Sequence, residues 1–348
     1  MATAQSDPYW SLRYKEFRFY VLARFLITMA LTMQAVIIGY EVYELSNSKL
    51  ALGLIGLTEA IPAIGNALYG GYVADKSEKR TMMVLYISLY TLMCVLLLFF
   101  THTSTIASIG NKKVLFIIFA AIFFTGIARS FYSPASFGLV AQLLPREMYQ
   151  NAVIWSSAAW QSGAVLGPAF GGILLGKLGI TNAFIIIIIF LGIAIFCLLK
   201  IEKKPIQYVP KEESIFESVS QGLKFVFDNK VILSCISLDL FAVLFGGAIA
   251  LLPVYAKDIL HVGAEGLGWL RAAQAAGAII MLLFLAYFPI KRNVGKILLA
   301  AVFGFGVFMI LFGISKIFWF SMVCLIISGA LDGISVSVRQ TIIQLATP

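Results

Sequence analysis

The stretch GGYVADKSEKR, residues 70–80, sets Asp75 beside Lys76, Lys79 and Arg80, between two long apolar segments. Each flanking segment runs for about 20 residues, the length at which a helix crosses the hydrocarbon core of a bilayer. A charged knot between two such segments reads as a turn at a membrane surface. The rest of the chain repeats the alternation. Apolar segments fall at residues 19–43, 50–73, 81–101, 114–141, 150–176, 180–200, 231–256, 264–289, 295–314 and 317–345. Of 348 residues 60% are hydrophobic and 12% charged, where soluble domains run near one half and one quarter. Mean hydropathy is +0.94. These values exclude a large soluble core. They predict an all-α membrane protein, because a helix satisfies its own backbone groups in lipid. The short alternating strands of a membrane barrel are absent from the sequence.

Basic residues orient the segments. With the N-terminus inside, Arg13, Lys15, Arg18, Lys76, Lys79, Arg80, Arg146, the lysines of 200–230, and Lys291, Arg292 and Lys296 all fall inside. Far fewer fall outside. Cytoplasmic loops collect Lys and Arg, so a cytoplasmic N-terminus is expected. The same bias accounts for most of the +9 net charge without a nucleic-acid partner. Cys94, Cys197, Cys235 and Cys324 each sit in a separate apolar run and read as packing residues, with no disulfide frame. No metal site and no cofactor are expected. The polar N-terminus lacks a small-residue cleavage site, so the first segment reads as an uncleaved anchor.

The longest polar break, 201–229, divides the chain into a six-segment half (1–200) and a four-segment half (230–348). Ser214 and Glu217 form a capping box, and Ile215, Val219, Leu223 and Val226 follow at helical spacing. An amphipathic helix on the inner face and a plain solvated linker are both open. The halves echo each other. GIARSFYSPASFGLVAQLLP (126–145) and GALDGISVSVRQTIIQLATP (329–348) both run from Gly to Pro over the same length. Parallel repeats of this kind mark transporters.

Residues 70–80 resemble the loop between the second and third helices of the major facilitator superfamily, through Gly71, Asp75, Lys76, Lys79 and Arg80. Glu78 occupies the family's usual Gly. SGAVLGPAFGG (162–172) is similar to the fifth-helix motif of proton-coupled drug exporters in Gly163, Gly167, Pro168, Gly171 and Gly172. Arg129 is similar to their fourth-helix arginine. FYVLARFL, GLKFVF and QLATP resemble the branch of enterobactin and macrolide exporters. The resemblance implies helical bundles of major facilitator type, with about ten of the usual twelve helices in a C-terminally truncated chain; a natural ten-helix protein is the other reading. It implies that the fifth helix packs against the eighth, which here offers AAQAAGA (272–278). It also implies that Asp75 latches onto the eleventh helix, which is not in this sequence, so Asp75 is expected to be exposed or paired with a nearby cation.

Charges inside the spans are costly and mark candidate pathway residues: Glu59, Arg129, Asp239, Arg271 and Asp332. Glu59 and Arg129 belong to one half and can pair across its cavity. A structural ion pair and a proton relay are both open there, since a buried carboxyl is raised toward neutral pH. Arg24 and Arg339 lie near inner ends, where snorkelling competes with a pathway role. Every fourth residue from Ala159 to Gly171 is small, which lets a partner helix come close. No nucleotide loop, zinc motif or nucleophile–base pair is present, so no enzyme is expected. The expectation is a monomeric bacterial inner-membrane transporter that exports an amphipathic small molecule against protons. An importer or facilitator, a non-transporting remnant and a membrane enzyme are the alternatives.

Overall fold

A computed structural model describes residues 9–205, 224, 226–245, 247–287 and 293–346. The chain divides into two compact units, Met1–Val209 and Pro210–Pro348. Among the described residues every regular element is helical. Among the described residues six helices are long and apolar enough to cross a membrane. Unit 1 contains α1 (Lys15–Ser46), α2 (Lys49–Gly65), α3 (Ala67–Lys76), α4 (Lys79–Phe100), α5 (Thr103–Ile109), α6 (Asn111–Leu143) and α7 (Tyr149–Leu199). Unit 2 contains α8 (Lys230–Phe245), α9 (Gly263–Tyr287), α10 (Val294–Ile314) and α11 (Phe318–Ala346), with short turns between α8 and α9. The expected amphipathic helix after Ser214 lies outside the described residues.

One of the expected spans takes a different form. Segment 50–73 is broken at Asn66, giving α2 and α3. Pro62 has no N–H to continue the ladder, and the Asn66 side chain turns back to donate to the Pro62 carbonyl at 2.9 Å. Segments 150–176 and 180–200 fall on either side of Gly179 within α7, where the backbone leaves the helical region at φ +77°. That backbone region favours glycine.

Unit 1 is built around α1, whose Phe17, Tyr20, Met33 and Ile37 are fully buried. Its outer surface is apolar, with Leu85, Phe99 and Phe116 well exposed. Such a surface suits lipid rather than water.

The small-residue face of α7 packs on α1. A Cβ at Gly163 would lie 2.8 Å from the Phe25 carbonyl oxygen, one at Gly167 2.7 Å from that of Met29, and one at Gly171 2.9 Å from Met33 Cα. Within unit 1 the backbone of α1 reaches these three glycines at distances no side chain would allow. Pro168 continues the same helix, and Gly172 is buried beside Gly171. Residues 272–278 use their own glycine within unit 2: a Cβ on Gly277 would collide with the Ile326 carbonyl, and one on Gly329 with that of Gln274.

The two echoing segments therefore begin alike. Gly126 meets the Glu59 carbonyl of α2, and Gly329 meets the Gln274 carbonyl of α9. Replacing Gly167 by Ala is expected to cost about 1–3 kcal/mol through overpacking. Gly192, with nothing within 4 Å of its would-be Cβ, is expected to tolerate Ala or gain about 0.5–1 kcal/mol. Thermal unfolding of the purified variants checks the contrast.

Candidate functional site

Unit 1 contains a hollow of about 530 Å³, walled by α1, α2, α4, α6 and α7. Glu59 and Arg129 lie on its wall and form an ion pair, Nη1 to Oε1, at 2.7 Å. Gly126, one turn before Arg129, sets this geometry, because α2 can approach α6 only where α6 has no side chain. The pair is wet: the Arg129 side chain is 66% exposed and that of Glu59 34%. Exposed pairs contribute at most about 1 kcal/mol to stability. The pair is therefore too weak a lock to be needed for the fold alone.

Arg24 lies on the same wall. Its Nη1 donates to the Tyr20 hydroxyl at 2.7 Å and the Ser136 hydroxyl at 3.1 Å. Tyr20 is fully buried and also contacts Ser136 at 2.9 Å and Ser156 at 3.4 Å. This network joins α1, α6 and α7 below the hollow. Snorkelling toward water does not describe Arg24, because neighbouring hydroxyls hold its Nη1 inside the unit. Arg339 is likewise buried, at 8% exposure, so snorkelling fails for it too. The Tyr20–Arg24 spacing of four residues, one helical turn, was visible in FYVLARFL. Its partner Ser136 was not, because that contact joins residues 112 positions apart. Gly126 was equally silent beside the more obvious glycines of α7.

In unit 2, Arg271 on α9 donates from Nη2 to the Ile249 carbonyl at 3.2 Å. Pro253, four residues after Ile249, has no N–H to fill that carbonyl, so the arginine fills it. Asp332 sits half-buried and engaged on α11. Asp239 belongs to α8, and its side chain lies outside the described residues.

The knot at 70–80 caps helix ends. Ser77 and Glu78 are both extended, at φ −115° and −68°. The turn thus needs no left-handed residue, and Glu78 is accommodated where the resembling family has Gly. Glu78 caps α4, accepting from Arg80 N at 3.0 Å and Thr81 N at 2.8 Å. Lys79 is buried and donates to the Ala74 carbonyl at the end of α3. Arg80 donates to the Leu198 and Leu199 carbonyls at the end of α7, both at 3.0 Å. Cations at helix C-termini and an acid at an N-terminus each suit the helix dipole. Lys76 donates to the Tyr72 hydroxyl at 2.6 Å. Gly71 has open space around it. The Asp75 side chain lies outside the described residues, so its latch is not described.

Burial acts to raise the Glu78 carboxyl, but hydrogen bonds from Thr81, Arg80 and the Lys204 backbone outweigh it and hold it below the usual range. A carboxyl lowered by folding adds stability above its unfolded value of about 4.3, and that stability is lost as pH falls through the folded value. Glu78→Ala is expected to cost about 1 kcal/mol at pH 7, with the cost shrinking toward acid pH in thermal unfolding. A double-mutant cycle on Glu59→Gln and Arg129→Gln is expected to give a stability coupling under about 1 kcal/mol.

The family model described as Major Facilitator Superfamily matches residues 20–348. The Enterobactin exporter EntS of Shigella boydii serotype 18 is 25% identical over 342 residues, covering 95% of this chain and 78% of its own. EntS of Escherichia coli O1:K1 / APEC matches to the same extent. Among solved structures, a bacterial homologue of the iron transporter ferroportin in an inward-facing state is similar at TM-score 0.67 and 15% identity. It covers 97% of this chain and 85% of its own. A bacterial homolog of the human lysosomal transporter Spinster is similar at TM-score 0.64 and 17% identity, covering 96% and 78%. At these identities the solved structures speak for the fold.

Proposed function

The chain belongs to the Major Facilitator Superfamily, a multi-pass membrane transporter and not an enzyme, and from that premise we propose that it exports an amphipathic small molecule by proton antiport. Siderophore-like catecholates and macrolides are the first cargoes to try. The observation that carries the reading is the hollow of unit 1 with its wet Glu59–Arg129 pair. Protonating Glu59 removes its attraction to Arg129. Releasing the proton restores it. Because the pair contributes little to the fold, it opens cheaply, as a relay must. The kinship with enterobactin exporters supports outward direction.

In this reading Asp239, Arg271 and Asp332 serve the matching role in unit 2. Asp75, Lys76, Lys79 and Arg80 gate on the inner face, and the glycines of α7 with Pro168 form a sliding surface during alternating access. The protein works as a monomer in the bacterial inner membrane, with its N-terminus in the cytoplasm.

The test uses inside-out vesicles that contain the full chain. A proton gradient is expected to drive cargo into the vesicles, and a protonophore to abolish the accumulation. Glu59→Gln is expected to lose gradient-driven accumulation while retaining cargo exchange at equal concentrations. Accumulation that ignores the protonophore removes the antiport assignment.

A further inference from the structure

The hollow of unit 1 carries an unbalanced charge. Its charged lining residues are Arg24, Glu59 and Arg129, and Glu59 is engaged by Arg129. Arg24 is left with neutral oxygens only: among the described residues its acceptors are the hydroxyls of Tyr20 and Ser136, both on Nη1. Its Nε is buried without an acceptor. A guanidinium does not escape this cost by losing its proton. The fold thus keeps a half-buried cation on the wall of the hollow with only neutral acceptors beside it among the described residues. The structural role, tying α1 to α6, uses Nη1 alone.

The wall of the hollow is partly aromatic: Tyr90, Tyr132, Phe137 and Trp160 line it. Aromatic walls favour flat rings by edge and offset contacts. A guanidinium favours carboxylates through its planar fork of donors. The two preferences meet in one hollow, where Arg24 and Tyr132 share the wall.

We propose that Arg24 determines specificity by recognising an anionic group on the cargo: an aromatic molecule bearing a carboxylate-like head, with the head at Arg24 and the ring against the aromatic wall of the hollow. The assignment rests on the hollow being the cargo site and is independent of transport direction and coupling.

The experiment measures binding to the full chain in nanodiscs of neutral phosphatidylcholine, by equilibrium dialysis at pH 7. The probes are 2-naphthoate and its uncharged counterpart 2-naphthamide. The wild type is expected to prefer naphthoate by about tenfold or more, the effect of one charge-assisted hydrogen bond. Arg24→Gln is expected to erase that preference and leave naphthamide binding unchanged. If Arg24→Gln binds neither probe because it misfolds, Arg24→Lys decides. A preference reduced from wild type with naphthamide binding intact supports the proposal, and an unreduced preference overturns it. A wild type that does not prefer naphthoate, or a preference that survives Arg24→Gln, also overturns it. Added phosphatidylglycerol is expected to leave naphthoate bound; displacement by it assigns the guanidinium to a lipid headgroup and overturns the cargo role. Loss of gradient-driven transport with the preference intact would remove antiport alone, and the converse result would remove only this assignment.

Discussion

In a bilayer, two helices gain nothing by hiding apolar side chains from each other, because lipid tails are as apolar as leucine. Association depends on close backbone approach and on interhelical polar contacts. That constraint explains where this protein spends its glycines. Gly163, Gly167 and Gly171 let α7 lie against the backbone of α1, and Gly126 lets α6 meet α2. In unit 2, Gly277 and Gly329 close the gap between α9 and α11. The charged groups of the hollow follow from these contacts. Glu59 and Arg129 are 70 residues apart, yet their side chains meet one turn from the crossing at Gly126.

The inner-face knot obeys a related constraint. Helix ends leave carbonyls and amides unsatisfied, and in this chain the basic residues of a single turn reach several of them. Lys79 serves α3, Arg80 serves α7 and Glu78 serves α4. The segment after α7 is held to the same surface, with Glu16 of α1 accepting from the Glu202 backbone at 2.8 Å and from Lys204 at 2.7 Å. The charges expected to orient the chain also close its helix ends, because cations suit the cytoplasmic side of a membrane and the carbonyl ends of helices alike.

Much of the candidate site was legible before the fold was known. A charge in an apolar span is conspicuous, so Glu59, Arg129, Arg271 and Asp332 stood out. Arg24 stood out as well, but its position near a span end made snorkelling plausible, and only the hydroxyls of Tyr20 and Ser136 decide otherwise. Gly126 was hidden because a glycine's role lies in what approaches it. The α7 glycines were visible as a ridge, but a ridge does not name its partner. The likeness of the two halves was faint in residues and clear in use, since Gly126 and Gly329 take the same place at their crossings.

The sequence by itself determined the membrane class, the helical segments, the orientation bias and the residues whose burial is costly. These follow from composition and local period, which act within one segment. Tertiary structure alone decided which helix each glycine faces, which cation pairs with Glu59, and that Arg24 lines a hollow without a carboxylate beside it. Those outcomes depend on the rotation of each helix about its axis. Rotation is fixed by backbone-to-backbone approach between segments far apart in the chain, and no local pattern encodes it.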